Sequence, residues 1–269
     1  VVMSNNYLYH VDALRQKLFQ YNINVPEKPL SDIKGMSSWF ADALDTFLLK
    51  YDKTINYLRM YPVGIDAVYD SRHERVLFTI MNVDQLTFSY SPRKYTFGFS
   101  EILGAFEGFY SYTPSIYAEH KAYVLSTSPD MTSVYLHNKG DNYGEFYGTQ
   151  YPSYITHLIT QMPNNTKTYT NHEYNSWAFS GGVDVYDDTF DKYQAWNSYQ
   201  DTGEVDMDQT LISGNTSRSE RRWRLGVPFA DGNARMRDMH MFAKFKYTNT
   251  DGRRLVVQDL LTSVGISFH

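Results

Sequence analysis

Residues 86–157 decide the fold class, because they read as short aromatic strands separated by turn residues. The strand-like runs are LTFSY (86–90), YTFGF (95–99), FEGFYSY (106–112), AYVLS (122–126) and VYLHN (134–138). Tyr, Phe and Val alternate with other residues in these runs, and Gly, Pro, Asn and Ser lie around them. This pattern is typical of antiparallel strands. Regular spacing of such strands predicts a sandwich, a barrel or a propeller.

The composition favours an all-β chain of one or two domains. The 269 residues include 24 Tyr and 16 Phe, whereas charged residues make up only 20%. Tyrosine combines an apolar ring with a polar hydroxyl, so it suits half-solvated sheets and interfaces. No run approaches 18 apolar residues, so we expect no membrane anchor. With no cysteine, disulfides and thiolate chemistry are excluded.

Three hairpin-like segments recur in the first hundred residues, at 9–21, 68–78 and 90–97. Each has an aromatic strand, a turn opened by Asp or Ser, one or two cations and a second strand. Repeated hairpins of this kind are typical of propeller blades, although unrelated hairpins with ordinary turn chemistry remain the alternative. We therefore predict a mainly β fold with propeller-like blades in residues 1–150. That length holds too few blades to close a propeller.

One helix is predicted within this region, at about residues 37–51. Its apolar side chains recur at helical spacing, and Ser37 or Ser38 begins it. The apolar face comprises Phe40, Ala43, Leu44, Phe47, Leu48 and Tyr51. We expect this helix to cap the blades or to be inserted between them.

Residues 151–269 are predicted to form a separate β-rich region. Its acidic, turn-rich segment at about 181–210 is interpreted as either a flexible loop or an ordered arm. Strands are predicted at 222–228 and 241–247. The Asp-Gly turn at 249–252 predicts a hairpin between the last of these and closing strands at 255–257 and 264–268.

The net charge of −5 is mild, but its distribution is uneven. Residues 181–210 hold eight acids and one lysine, whereas residues 214–269 hold ten Arg or Lys and five acids. Adjacent segments of opposite charge suit docking, either between segments of one chain or between subunits.

No catalytic, cofactor-binding or metal-ligating residue is assigned from the sequence. The eight His are dispersed, and His120 and His137 are expected to be structural. Glu101, Glu107 and Glu145 are the candidates for a glycan depolymerase, because glycoside hydrolysis uses a pair of carboxylates. Acids at turns are normally solvated, so we favour a structural role for all three.

An acidic cluster and an arginine cluster each allow a functional and a structural interpretation. The acids of residues 201–208 alternate as in calcium loops but lack the EF-hand frame, which favours a solvated loop. A set of arginines could contact phosphates, and Trp223 among them could stack on a base. A protein interface or a solvated face is the favoured interpretation. The arginines are Arg218, Arg221, Arg222, Arg224, Arg235 and Arg237.

Several of these runs resemble the tail muzzle, or stabilisation, proteins of crAss-like bacteriophages. The resemblance is carried by FSEILGAFEGFYSYTP (99–114), VYLHN (134–138), EFYGTQYPSYI (145–155), GIDAVYDSR (64–72) and RWRLGVP (222–228). It covers residues 60–160 well and the rest of the chain loosely. It implies a structural virion protein of a short, non-contractile tail, assembled in the cytoplasm of the bacterial host.

The resemblance also implies partners. Related proteins form homo-oligomeric rings, for which a hexamer is one expected form, and these rings extend and close the DNA exit channel. The expected partners are other copies, other tail proteins, the remaining part of the same polypeptide, and double-stranded DNA in passing. The start at Val1, without Met, fits a proteolytic product or a deliberately trimmed chain equally well. A receptor- or glycan-binding tail-tip module is kept as the alternative function, with the depolymerase behind it.

Overall fold

The chain is mainly β, as the sequence predicts. The computed structural model describes residues 1–22, 24–44, 64–82, 93–207, 216–230 and 234–267. In these ranges it has 23 strands and two short helices. The strands form several antiparallel sheets in two compact units, residues 1–139 and 140–269. The boundary between the units precedes the predicted domain boundary near residue 150.

The first sheet of the first unit is a four-stranded antiparallel meander. Its strands are β1 (Val2–Met3), β2 (Leu8–Asp12), β3 (Lys17–Asn22) and β4 (Val25–Pro29). Leu8 pairs with Tyr21 and Asp12 with Lys17, which confirms the hairpin predicted at 9–21. The Asp12 carboxylate accepts hydrogen bonds from the backbone N–H groups of Leu14 and Arg15, at 2.9 and 3.0 Å. This side chain therefore closes the turn that the sequence pattern indicates.

Two helices follow this sheet, α1 (Leu30–Ile33) and α2 (Ser37–Leu44). Phe40, Ala43 and Leu44 of α2 are buried, as the predicted apolar face requires. The remainder of the predicted helix, residues 45–51, lies outside the described residues.

The second sheet is another four-stranded antiparallel meander. Its strands are β5 (Gly64–Asp70), β6 (Arg75–Asn82), β7 (Arg93–Ser100) and β8 (Ala105–Tyr110). Asp70 pairs with Arg75 across the hairpin predicted at 68–78. β6 and β7 also pair antiparallel, but the predicted strand at 86–90 and the first two residues of the turn predicted at 91–94 lie outside the described residues. Arg93 and Lys94, predicted in that turn, belong to β7 instead.

An aromatic core holds these two sheets and α2 together. Phe97 of β7 stacks on Phe78 of β6, with ring centroids 5.3 Å apart, and it meets Phe40 of α2 at 5.5 Å. Tyr9 of β2 joins the same cluster and is completely buried. Because each ring removes a large apolar area from water, this cluster is the main source of stability in the unit.

A third, three-stranded meander completes the first unit. It consists of β9 (Tyr117–His120), β10 (Tyr123–Thr127) and β11 (Val134–Leu136). Tyr117 of β9 is tied to the second sheet, because its hydroxyl lies 3.0 Å from that of Thr79 and its N–H donates to Asp66 at 2.7 Å.

The second unit begins with the small hairpin of β12 (Glu145–Phe146) and β13 (Thr149–Gln150). The strands that follow are β14 (Ser153–Ile159), β15 (Lys167–Ser180), β16 (Val183–Val185), β17 (Lys192–Trp196), β18 (Val205–Asp206), β19 (Thr216–Ser219), β20 (Arg222–Gly226), β21 (Arg237–Asp238), β22 (Met241–Tyr247) and β23 (Arg254–Ile266). One sheet has the order β14-β22-β17-β18. In the other, β15 pairs with β23 on one side and with β16, β20 and β21 on the other, and β19 pairs with β20.

The central strand β15 was missed by the sequence analysis. Its 14 residues alternate between buried and half-buried positions, but three of the buried side chains are polar. Lys167, His172 and Ser176 all find hydrogen-bond partners inside the unit. Buried polar side chains conceal the apolar alternation by which strands are recognised.

The hairpin predicted across residues 249–252 is wrong. β22 pairs with β14 and β17, whereas β23 pairs with β15 in the other sheet. The turn crosses from one sheet to the other, and Asn249 holds it by donating to the Tyr143 carbonyl at 2.6 Å and accepting from the Arg253 N–H at 2.7 Å. The two predicted closing strands are one continuous strand of 13 residues.

The acidic segment is ordered over its described part, residues 181–207. It contains β16, β17 and β18, so the ordered arm was the correct alternative. The two sheets enclose one aromatic core, in which Phe245 of β22 meets Tyr174 of β15 at 5.6 Å and Tyr193 of β17 at 5.1 Å. Trp223 of β20 is completely buried in the same cluster.

Candidate assembly surfaces

Glu101 and Glu107, two of the candidate catalytic acids, are hydrogen-bonded within the first unit. Glu101 lies in the turn between β7 and β8 and accepts a 2.7 Å hydrogen bond from the Tyr9 hydroxyl. Burial, reinforced by this hydrogen bond, raises the pKa of Tyr9 well above its usual value. Glu107 on β8 accepts hydrogen bonds from Arg75 at 3.3 Å and from Tyr110 at 2.9 Å. Both carboxylates therefore tie strands together.

Arg75 joins Glu107 to a second, buried carboxylate. Asp70 at the end of β5 has a side chain only 2% exposed, and the Arg75 Nε lies 3.1 Å from it. Asp70 also lies 2.8 Å from His73 Nδ1 and accepts a 3.3 Å hydrogen bond from Asn138. These contacts connect β5, β6 and β8 with the residues after β11. A buried carboxylate with this many partners is a structural element of the unit.

Glu145, the third candidate, belongs to the second unit. It lies on β12 and accepts a hydrogen bond from the Asn142 side chain. The three candidate acids are thus divided between the two units, and each has a polar partner within its own unit. The observed contacts of all three are hydrogen bonds within the fold.

The two histidines singled out from the sequence are both in the third sheet of the first unit or just after it. His120 is exposed at the end of β9. His137 follows β11, where its Nε2 lies 2.5 Å from the Ser126 hydroxyl and its ring centroid lies 4.9 Å from that of Tyr112. Burial lowers the pKa of His137 to about 4, so the ring is neutral at pH 7. These contacts give His137 a packing role.

The arginine cluster separates into individually paired side chains, with Arg222 and Arg224 on the outer face of the larger sheet and Arg218 over the ring of the buried Trp223. Arg224 lies 3.1 Å from Glu173, and Arg222 lies 2.8 Å from Asp259. Arg218 pairs with Asp187. Trp223 cannot stack on a base, because it is fully buried and donates its indole N–H to the Ser176 carbonyl at 2.9 Å. The base-stacking alternative was therefore wrong.

Arg235 and Arg237 lie apart from the other arginines, in a groove of about 720 Å³. The groove also contains Thr168, Gln200 and Ser267, and its floor includes the ends of β15 and β23. Gln200 joins the β17–β18 connection to this region by donating to the Arg235 carbonyl at 3.0 Å and accepting from the Arg237 N–H at 2.8 Å. The groove therefore combines two arginines with both polar and apolar neighbours.

The oppositely charged segments dock on each other within the second unit. Asp188 pairs with Arg253 at 2.8 Å, and Glu204 lies 3.3 Å from Lys246. The Asp187–Arg218 pair joins the same two segments. The predicted docking between segments is thus confirmed by these three contacts. Each pair is partly solvated, so each contributes about 1 kcal/mol or less.

The calcium-like acids of residues 201–207 are used inside the fold. Asp201 accepts hydrogen bonds from Gln194 at 3.0 Å and from the Gly203 N–H at 2.8 Å, which closes a turn. Asp206 pairs with Lys192 across the β17–β18 hairpin at 2.8 Å. In the described ranges, no three His, Cys, Asp or Glu side chains converge as a metal site would require. Residue 208 lies outside those ranges.

A row of aromatic and apolar side chains covers part of the outer face of the smaller sheet. Trp196 of β17 stacks on Phe242 of β22 at 5.3 Å, and Leu158 of β14 pairs with Phe242 on the other side. Lys244 lies over the exposed ring of Tyr154, 4.7 Å from its centroid. The opposite, inward face of β22 carries Met241, Ala243, Phe245 and Tyr247. This row, called the aromatic face below, was not recognised from the sequence.

One edge of the larger sheet is formed by β23, and the opposite edge by β16, β19 and β21. Among the described residues, β23 pairs with β15 alone and β19 with β20 alone. β23 is long and apolar, with Leu261 and Ile266 exposed by 55% and 44%. Unpaired strand edges are templates for pairing with another chain. The apolar residues between 255 and 266 could have indicated this long strand from the sequence. The predicted hairpin instead divided them into two short strands.

Neither helix that the structure describes has the length and apolarity to cross a bilayer.

Comparison with protein families gives a match for each unit. Residues 1–130 match the family model described as crassvirus muzzle protein. Residues 141–228 match the model described as the crassvirus muzzle protein C-terminal domain. Comparison with curated proteins gave no match. The two family matches together cover most of the chain, so the chain belongs to the crassvirus muzzle protein family, structural components of the virion.

Proposed function

We propose that this chain assembles into an oligomeric ring at the distal end of a short tail, where it extends and closes the DNA exit channel. The match of both units to the muzzle family carries this proposal. The observed contacts support it, since the candidate acids Glu101, Glu107 and Glu145 are each hydrogen-bonded within their own unit.

The sheets of the first unit are proposed to be propeller blades that other protein completes. Two of them are four-stranded antiparallel meanders, which is the strand number and connectivity of a blade. A closed propeller needs at least four blades, so the remaining blades would come from another part of the polypeptide or from other copies.

The charge distribution supports passage of DNA rather than its retention. A protein that grips duplex DNA presents a stripe of free Lys and Arg to the phosphates. Here Arg218, Arg222 and Arg224 are engaged by acids of the same unit. The net charge of −5 adds a mild repulsion of phosphate. We therefore expect contact with the moving duplex without tight binding.

A reconstruction of the purified virion at a resolution that separates strands tests the proposal. The expected result is density for both units of this chain, repeated around the tail axis and lining the exit channel. Location of the chain in the capsid shell or in fibres would contradict it. Gel-shift titration with duplex DNA near 150 mM salt should give a Kd no tighter than about 10 µM, within the range of non-specific binding.

The aromatic face supports a second candidate, recognition of a host glycan. Sugars stack on exposed aromatic rings, and Tyr154 of this face is 58% exposed. Binding of the intact chain to a glycan array, lost in W196A and kept in F109A of the first unit, would support this candidate. If the chain binds no glycan on the array, this candidate function is contradicted.

A further inference from the structure

We propose that the free chain forms a two-fold dimer, in which β14 of one copy pairs antiparallel with β14 of a second copy. The contact joins the two four-stranded smaller sheets into one continuous sheet. It is separate from the proposed ring, because copies that face the same way around a single axis have no two-fold axis between neighbours. The dimer therefore belongs to the chain before its assembly into a tail.

β14 lies at the edge of the smaller sheet, and its outer side is unpaired. Among the described residues it pairs with β22 alone, through consecutive residue pairs from Ser153 to Ile159 without a register shift. About half of its backbone N–H and C=O groups point away from β22. These groups are available to hydrogen-bond a further strand.

β14 lacks the features that protect the other long edge strands. Proteins blunt such edges with charged residues, Pro, bulges or very short strands. Of the described edge strands that span five or more residues, β4 contains Pro and Lys, and β5 contains two Asp. β8 and β23 each contain charged residues and at least one register shift. β14 has the sequence SYITHLI, without Asp, Glu, Lys, Arg or Pro. It is therefore the edge that most readily accepts another strand.

Apolar side chains of β14 are exposed on both faces of the sheet. Tyr154 and Leu158 on the outer face are 58% and 47% exposed. Ile155 pairs with Phe245 on the inward face of β22, yet it is still 39% exposed. A further strand beside β14 covers all three side chains, which removes apolar surface from water.

The sequence of β14 is complementary to itself, which selects a second copy as the partner. With the two-fold axis at Thr156, Tyr154 of one copy lies opposite Leu158 of the other, and this apolar pair occurs twice. The two Thr156 residues lie opposite each other, and Ile155 lies opposite His157. Thr–Thr pairs stabilise antiparallel strands, and the Tyr–Leu pairs bury apolar surface.

Charge does not oppose this contact. Lys244 of β22 lies over the ring of Tyr154, 4.7 Å from its centroid. The two Tyr154 residues of the dimer are four positions apart along the paired strands, roughly 13 Å, so the two ammonium groups are separated by more than the Debye length of about 8 Å. A single strand pair is a small interface, so we expect a Kd on the order of 10 µM.

Cysteine crosslinking tests the contact directly, because the chain has no cysteine of its own. In T156C the two thiols lie opposite each other, where the Cα atoms of paired residues are about 4.5–5.5 Å apart, within the range of a disulfide. Oxidation of the intact chain near the expected Kd should give a covalent dimer and no larger species, roughly tenfold or more faster than in T250C. T250C is the control, because Thr250 is also exposed but lies in the turn before β23.

Charge exchange tests the register. L158K places a cation against Tyr154 of the other copy and should weaken dimerisation by roughly tenfold in sedimentation equilibrium. Y154E/L158K should recover most of this loss, because each new Glu faces the new Lys of the other copy. Within one chain these positions are about 13 Å apart, too far for an ion pair. L261K is the control, because Leu261 is similarly exposed on β23, and it should have little effect.

The outcomes separate the dimer from the ring. A chain that sediments as a monomer well above the expected Kd would overturn the β14 contact, as would T156C that crosslinks no faster than T250C. Y154E/L158K no better than L158K alone would overturn the register. Rings in the virion without any dimer of the free chain would overturn this inference and leave the proposed ring intact.

Discussion

His172 makes the stability of the second unit depend on pH between 5 and 7. The ring is completely buried on β15, with Nε2 2.7 Å from the Tyr193 hydroxyl and Nδ1 2.9 Å from that of Thr262. Burial lowers its pKa from 6.5 to about 3, and the neighbouring His157 adds to this effect. The folded unit therefore holds His172 neutral throughout this pH range.

The sign and the size of the effect follow from linkage. Below pH 6.5 the unfolded chain binds a proton at His172 that the folded chain does not bind, so the unfolded state gains stability. The contribution of neutral His172 is complete above the unfolded pKa and is lost as the pH falls toward the folded pKa. The cost reaches about 1.4 kcal/mol per pH unit well below the unfolded pKa, and acidification from pH 6.5 to 5 should remove about 1.6 kcal/mol.

Hydrogen exchange followed by mass spectrometry measures this loss in the intact chain. Peptides from β15 and β17 report on the second unit separately from the first, where His137 titrates in the same direction. Protection should fall by roughly sixteenfold between pH 6.5 and 5, after correction for intrinsic exchange, since about 1.6 kcal/mol corresponds to that ratio. H172Q keeps an amide near Tyr193 but has no titratable proton, so its protection should hardly change.

H120Q is the matched control, because His120 is exposed. It should behave as the unmodified chain does. If H172Q loses as much protection as the unmodified chain on acidification, burial of His172 is not the cause and the argument fails.

Three substitutions test other elements of the structure by urea unfolding at pH 7. W223F should cost about 1–3 kcal/mol, because it leaves the buried Ser176 carbonyl without its donor. G252A should cost about 2 kcal/mol or more, because Gly252 has φ of 65° and a Cβ there would overlap the Asn142 side chain. R75M should cost about 3–5 kcal/mol, because it leaves the buried carboxylate at the end of β5 without its cation.

Each of these three substitutions has a matched control variant. R15M removes an exposed ion pair of the first unit and should cost less than about 1 kcal/mol, so a cost equal to that of R75M would refute the role of burial. G181A also introduces Cβ at positive φ but has open space around it, so its cost should be smaller than that of G252A. W223L should lower the free energy of unfolding by more than W223F does, because it also loses ring packing.

Local features were predictable because their physical causes lie close together in the sequence. The β5–β6 hairpin and the buried face of α2 follow from alternation, turn residues and helical spacing within about ten residues. The mainly β class, the ordered strands β20 and β22 and the family resemblance rest on the same local patterns. Exclusion of thiol chemistry follows from composition alone.

Strand partners and burial of polar groups were decided only by the tertiary structure. The turn at 249–252 has the residues of a hairpin, yet long-range pairing places β22 and β23 in different sheets. β15 was hidden because Lys167 and His172 are buried against partners far away in the sequence. By itself, the sequence determined where the chain can form strands and turns. Only tertiary structure decided which edges stay unpaired, because pairing and burial depend on residues brought together from distant parts of the chain.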